Sequence, residues 1–264
     1  MYINNLNPII LSLGPLEIRW YSLAYIIGIL AGWYLGKKIL NFRNKHNKSS
    51  FNSHDFDDLI TYVIISIILG GRLGYILFYN LDYYLNNFFD IFKIWQGGMS
   101  FHGGLIGVIF GSYFFAKVRK IKVFLIFDIL ACVTPIGLFF GRIANFINSE
   151  LVGVPTNMGW GVVFPLVDNI ARHPSQLYEA FLEGIILFII LNIMIFNKKT
   201  LVGICSSFFL LFYGIFRITV EHFREPDIQV GYLFKTISTG SLLSFIMILA
   251  GLYILIKIKR NDFN

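Results

Sequence analysis

An all-α, polytopic integral membrane protein of seven transmembrane helices is the fold this sequence predicts, and three observations predict it. Of its 264 residues, 56% are hydrophobic, 17% aromatic and only 14% charged, and its mean hydropathy is positive, which is outside the soluble globular range. Seven apolar stretches long enough to cross about 30 Å of hydrocarbon lie near residues 20–37, 59–79, 100–116, 123–140, 176–196, 201–220 and 237–256. Lys and Arg gather in alternate connections, as they do in membrane proteins whose basic loops stay in the cytoplasm.

The charge pattern sets the orientation. Lys37, Lys38, Arg43, Lys45 and Lys48 follow the first span; Lys117, Arg119, Lys120 and Lys122 join the third and fourth; Lys198 and Lys199 join the fifth and sixth; Lys257, Lys259 and Arg260 follow the last. All four clusters share one side if the N-terminus is outside and the C-terminus cytoplasmic, with residues 1–264 forming a single transmembrane domain. The net charge of +7 then reflects topology and attraction to anionic lipid, and nucleic-acid binding is excluded as a reading. Cys132 and Cys205 fall inside apolar spans and read as core packing, not as a disulfide or a nucleophile. The first residues lack a basic region before an apolar run and a small-residue cleavage site, so no removable signal peptide is indicated. They are expected along the outer interface, interrupted by Pro8, Gly14 and Pro15.

Glycine is abundant, at 24 residues, and Gly28, Gly32 and Gly36 recur at helical spacing, as close helix packing in lipid requires. No tandem repeat and no symmetry between halves is visible. The long connections 80–99 and 141–175 both fall on the outer side. Their Tyr, Phe, Trp and Gly content predicts ordered interfacial structure and places function near the outer leaflet.

Polar groups at membrane depth are the informative residues, because an arginine in mid-span costs about 2.5–3.5 kcal/mol and needs a partner or a polar cavity. Arg72 lies in the second span with Tyr75 and Tyr79 along one face. His102 stands between glycine pairs at the start of the third. In GRIANFINSELVG, residues 141–153, a helix continuing past Arg142 puts Arg142, Asn145 and Ser149 on one face with Asn148 beside them and Glu150 following. RHPSQLYEAFLEG brings Glu179 and Glu183, one turn apart and suited to pairing with arginines. Tyr213, Arg217, Glu221 and Arg224 form a stripe that is too costly to face lipid and is expected to face the bundle interior. Arg72, Arg142, Arg217 and Arg224 are therefore expected to converge, and paired arginines grip phosphate bidentately. At this depth the available phosphates are lipid headgroups. No His, Cys and carboxylate cluster has metal-ligand spacing, so no metal is expected.

These residues resemble the prolipoprotein diacylglyceryl transferase family of bacterial membranes. GRIANFINSELVG is similar to that family's signature, and RWYSLAY, GGRLGYILFYN, GGMSFHGGLIG, RHPSQLYE and FRITVEHFREPD match further family stretches in order, from residue 19 to 227. The resemblance implies seven spans in the bacterial cytoplasmic membrane with the site toward the outer side. It implies transfer of the diacylglyceryl unit of phosphatidylglycerol to the lipobox cysteine of a preprolipoprotein signal peptide, with release of glycerol-1-phosphate and no soluble cofactor. By the same resemblance Arg142 and Arg217 hold the headgroup phosphate, and His102 is a base or headgroup ligand. Tyr21, Asn145, Glu150, Gly153, Tyr213, Glu221 and Arg224 then shape the site. The loop from Gly153 to Arg172 is shorter than in some members, which bears on peptide preference and not on the chemistry. Lipid or anion transport is the alternative; paired broken helices in two matching halves would favour it, and none are visible. A structural scaffold would have little reason to bury four arginines and a glycine-flanked histidine.

Overall fold

Apolar runs punctuated by glycine, proline and basic residues fold into nine α-helical segments among the described residues. The computed structural model describes residues 2–14, 16–46, 51–225, 232–233 and 237–260; Pro15, Lys48, and Pro226 and Asp227 of the last motif lie outside them. In chain order, β1 (Tyr2–Ile3), β2 (Ile9–Leu13) and β3 (Leu16–Arg19) precede α1 (Trp20–His46), α2 (Ser53–Tyr79), α3 (Leu81–Asn86), α4 (Phe101–Arg119) and α5 (Val123–Ile147). Then come β4 (Val162–Val163), β5 (Ala171–Arg172), α6 (Ser175–Glu179), a π turn (Ala180–Ile186), α7 (Leu187–Ile195), α8 (Ile204–Glu221), β6 (Tyr232–Leu233), β7 (Ile237–Ser238) and α9 (Thr239–Lys259). Among the described residues, six helices are long and apolar enough to cross a membrane: α1, α2, α5, the continuous Ser175–Ile195 rod, α8 and α9. The third expected span coincides with α4, whose sequence includes His102 and four glycines.

The N-terminal segment departs from the expected interrupted interfacial stretch. β2 and β3 pair antiparallel, with Gly14 at φ 59° between them, and β1 pairs with β4, which pairs with β5. Gly14 acts here as a turn residue and not only as a breaker, because only glycine adopts positive φ without strain. The two long connections expected to be ordered are so: residues 81–96 hold α3 and two 3-10 turns, and β4 and β5 lie after α5.

The chain packs as two units, Met1–Ile39 with Asp128–Asn264, and Leu40–Phe127. Within the second, α2 and α4 meet through small residues. A Cβ on Gly74 would lie 2.7 Å from Gly103 Cα, and one on Gly107 would run into the Ser66 carbonyl oxygen, so the backbones touch and no larger residue fits. Phe51, Phe56, Leu59 and Phe115 close the other end as a fully buried cluster. Asn52 and Asp55 form a capping box on α2, and Arg119 pairs with Asp55 (3.3 Å) and with Asp58. His54 stands near these two carboxylates, whose charge Arg119 already answers.

Within the first unit, Gly28 faces Gly137 and Gly32 faces Val133, the packing role expected of that glycine spacing. Cys132 and Cys205 are buried, with both sulfurs directed at the Leu191 carbonyl, as core residues. Asp128 reaches from α5 to the start of α8, where its carboxylate accepts from the amides of Gly203 (2.6 Å) and Ser206 (2.8 Å) and from the Ser206 hydroxyl (2.6 Å). The Gly203 cap has no side chain of its own, so Asp128 satisfies donors that would otherwise be orphaned in the apolar interior. Replacing Asp128 with alanine is expected to cost about 2–3 kcal/mol, read as a lower unfolding midpoint in detergent. Asp128→Asn, which keeps one acceptor, should lose less.

Candidate active site

The helix α5 does continue past Arg142, to Ile147, and its end is tied down by side chains the sequence singles out. Ser149 and Leu151 adopt left-handed backbone, φ 58° and 54°, and the Glu150 amide closes onto the Asn145 carbonyl at 2.9 Å. Non-glycine residues there are strained and persist only when neighbours hold them. The holding groups are Asn4, which donates to Phe146 O (2.7 Å) and Ser149 Oγ (3.1 Å), Ser175, which donates to Leu151 O (3.0 Å), and Gln176, which donates to Glu150 O (2.6 Å). Asn145 Nδ2 donates to the Tyr21 hydroxyl and to Glu150 Oε2 (3.1 Å), and Asn148 donates to Glu150 Oε1 (3.3 Å). Tyr21, Asn145, Asn148 and Glu150 are thus one hydrogen-bonded group.

One turn deeper, three arginines meet one carboxylate. Glu179 has no solvent exposure. Its Oε2 lies 3.1 Å from Arg142 Nε, and its Oε1 takes both Arg217 Nη1 and Arg224 Nη1, the latter at 3.3 Å. Glu183, also fully buried, lies 3.6 Å from Arg142 Nη2, and Glu221 pairs with Arg217 Nη2 at 2.8 Å. Tyr213 shares the electrostatic field of Glu183, Arg142, Arg217 and Glu179. The stripe on α8 therefore faces inward, as its cost in lipid demands. The two glutamates come from the junction of α6 with the π turn, a rare geometry that concentrates at functional sites.

Gly153 fixes the segment that follows α5. Its amide donates to His173 O (3.1 Å), the next amide, Val154, donates to Phe223 O (3.0 Å), and Glu225 N donates to Val152 O (3.1 Å). Residues 152–154 are thus clipped between the approach to α6 and the exit of α8, where Arg224 sits. A Cβ on Gly153 would run into the carbonyl oxygens of both His173 and Phe223. Arg172 locks the same clip, donating to Gly153 O (3.0 Å), Asp168 Oδ2 (2.6 Å) and Glu225 Oε2 (2.8 Å). The Arg172 guanidinium holds the Asp168 carboxyl below its usual range.

Arg72 belongs to the other unit and its guanidinium is spent on backbone. It donates to the carbonyls of Ile91 (2.9 Å), Gly97 (2.6 Å), Gly98 (3.2 Å), Asp90 (2.6 Å) and Lys93 (3.3 Å), with its plane 5.1 Å from the centre of the Tyr84 ring. Five charge-assisted bonds offset the cost of burying it and gather the segment 90–98 that leads into α4. Among the described residues, the ion pairs on Glu179 bring together Arg142, Arg217 and Arg224 and not Arg72. Arg72→Lys retains the charge but not the fork; it is expected to speed proteolysis within residues 88–98 by at least about tenfold. His102 follows the Ser100 cap of α4 and is exposed.

Sequence reasoning gives Glu179 as a partner for nearby arginines; what it does not give is the role of Glu179 as their shared centre, or the bracing roles of Asn4 and Arg172. The available signal for Glu179 was charge balance: buried arginines need anions at the same depth, and RHPSQLYEAFLEG supplies two.

The family model of prolipoprotein diacylglyceryl transferases matches residues 8–257. The phosphatidylglycerol–prolipoprotein diacylglyceryl transferase of Rickettsia bellii (strain OSU 85-389) is 51% identical over 255 residues, 96% of this chain and 95% of that protein. Those of Rickettsia felis, at 51% identity, and Rickettsia akari, at 50%, each align over 253 residues, 95% of this chain and 96% of theirs. The chain belongs to the prolipoprotein diacylglyceryl transferase family.

Proposed function

We propose that this protein transfers the diacylglyceryl group of phosphatidylglycerol to the lipobox cysteine thiol of preprolipoproteins, forming a thioether and releasing glycerol-1-phosphate. The observation that carries the reading is the convergence of Arg142, Arg217 and Arg224 on a single buried carboxylate, which shows that these three guanidinium groups together hold an anion in an apolar surround. In the reaction, the C–O bond at the glyceryl carbon breaks and negative charge grows on the departing phosphate. Guanidinium groups aimed at that phosphate stabilise the transition state more than the ground state, as catalysis by differential binding requires. Low dielectric strengthens each of these interactions.

In this reading Arg142 and Arg217 fork the phosphate, Arg224 adds a third donor, and Tyr21, Asn145, Asn148 and Glu150 present polar groups to the headgroup glycerol. Gly153 keeps the outer clip closed over them. His102 acts as a headgroup ligand by its family position, while Arg72 shapes the 90–98 segment. The chain is a single transmembrane domain of seven spans in the bacterial cytoplasmic membrane, α4 being the third span. Its N-terminus is outside, its C-terminus cytoplasmic and its site toward the outer side, in keeping with the four basic clusters.

The test is a reconstituted assay with purified protein, phosphatidylglycerol and a lipobox peptide carrying cysteine or serine. A diacylglyceryl mass gain on the cysteine peptide alone, matched by glycerol phosphate, is expected. No modification by folded protein across several anionic lipids would overturn the transferase reading and leave lipid or anion transport in its place.

A further inference from the structure

The arginine site is already full. Among the described residues, three carboxylates, Glu179, Glu183 and Glu221, pair with the three arginines Arg142, Arg217 and Arg224. A phosphodiester monoanion added to this balanced, buried set would leave an excess negative charge in a medium that penalises it strongly. Entry of the lipid phosphate therefore requires one carboxylate to give way.

The pairing pattern selects which one. Arg142 has Glu183 as a second partner, and Arg217 has Glu221. Glu179 is the carboxylate that all three arginines share, through both of its oxygens. A carboxylate with two guanidinium groups hydrogen-bonded to one oxygen and a third at ion-pair distance from the other stands in for the two non-bridging oxygens of a phosphodiester. Its removal leaves Arg142 and Arg217 with their own counter-charges and frees their remaining donors.

Resting on the transferase reading above, we infer that Glu179 occupies the phosphate position in the lipid-free protein and, once displaced by phosphatidylglycerol, accepts the proton of the incoming thiol. A carboxylate stripped of its cations in apolar surroundings favours its neutral form, and the reaction supplies a proton that must leave sulfur for the nucleophile to form. Substrate binding thus creates the base. The thiol proton passes to a Glu179 oxygen, sulfur attacks the glyceryl carbon, the C–S bond forms, and the C–O bond breaks with its electron pair going to the phosphate oxygen. The proton then moves from Glu179 to the departing phosphate monoester, and the restored carboxylate re-pairs with the arginines and expels glycerol phosphate. Thiol plus phosphodiester monoanion becomes thioether plus protonated phosphomonoester monoanion, so atoms and charge balance. Glu183 stays beside Arg142 throughout.

The test separates binding from turnover. Glu179→Gln keeps the shape, removes the competing charge and removes the proton acceptor. Titration with dioleoyl phosphatidylglycerol, read by native mass spectrometry, should show lipid affinity raised about tenfold and the apparent KM for lipid lowered. Peptide turnover should fall at least about a hundredfold. Glu179→Asp, which keeps charge and proton acceptor, should bind lipid near the wild-type level and recover a measurable part of turnover. An unchanged or weaker lipid affinity in Glu179→Gln, near-normal turnover in it, or an aspartate variant as inactive as the glutamine one would overturn the inference. A wild-type protein that binds phosphatidylglycerol but never modifies peptide would count against the transferase reading instead, while the affinity comparison would still decide the exchange.

Discussion

Arg217→Ala is expected to lower turnover by about a thousandfold or more, and Arg142→Ala similarly, with both variants still inserted in the membrane. Each arginine offers the departing phosphate donors that water cannot replace at this depth, and loss of one oxyanion donor alone costs about 10²–10³ in rate. Truncation also leaves buried carboxylates short of a partner, which costs about 3–5 kcal/mol in stability. The two effects are separated by Arg217→Lys. Lysine maintains the positive charge near Glu179 and Glu221 but cannot fork a phosphate. It should restore most of the thermal stability while leaving turnover at least about a hundredfold down. Rates measured on the purified variants, alongside their unfolding midpoints, check both statements; near-normal turnover in either alanine variant would remove that arginine from the mechanism.

Gly153→Ala is the second large effect. The glycine has ordinary backbone freedom to lose, but what excludes a methyl group is space: two carbonyl oxygens, of His173 and Phe223, occupy the position the new carbon would take. Those carbonyls accept the amides of Gly153 and Val154, so neither can move without breaking the clip between the start of α6 and the end of α8. Because Glu179 lies on α6 and Arg224 follows α8, opening the clip shifts both ends of their ion pair. Overpacking of this kind costs about 1–3 kcal/mol, and a misplacement of about 1 Å at the site can cost a hundredfold in rate. Loss of turnover with retained membrane insertion is the expected result; slower hydrogen exchange in residues 152–155 than in wild type would contradict it.

Much of this site was legible because of what lipid forbids. The spacing of Tyr213, Arg217 and Glu221 leaves a single face of α8 for three polar groups, with Arg224 just past its end, and that face has to turn inward. The same reasoning placed Arg142, Asn145 and Asn148 together, and the helix does extend far enough to do so. It was ambiguous for Arg72, since burial cost alone does not distinguish a guanidinium that grips phosphate from one that gathers backbone carbonyls; the five acceptors come from a segment 18 to 26 residues away. Glu179 as the hub was obscure for a related reason. Its partners lie on α5 and α8, and one-dimensional spacing reveals neighbours on one helix, not pairings between helices. The N-terminal strands are not legible in the sequence, where Gly14 between two prolines reads as an interruption; its positive φ is what lets β2 turn back onto β3.

The most direct test of the account is the fate of the bridging oxygen. Phosphatidylglycerol labelled with heavy oxygen between the diacylglyceryl carbon and phosphorus is turned over with the lipobox peptide, and both products are weighed. Cleavage at carbon, with the arginines taking up charge on the departing phosphate, leaves the label in glycerol phosphate and none in the peptide thioether. Label retained on the diacylglyceryl side would mean cleavage at phosphorus, and would contradict both the proposed transfer and the role assigned to Arg142 and Arg217.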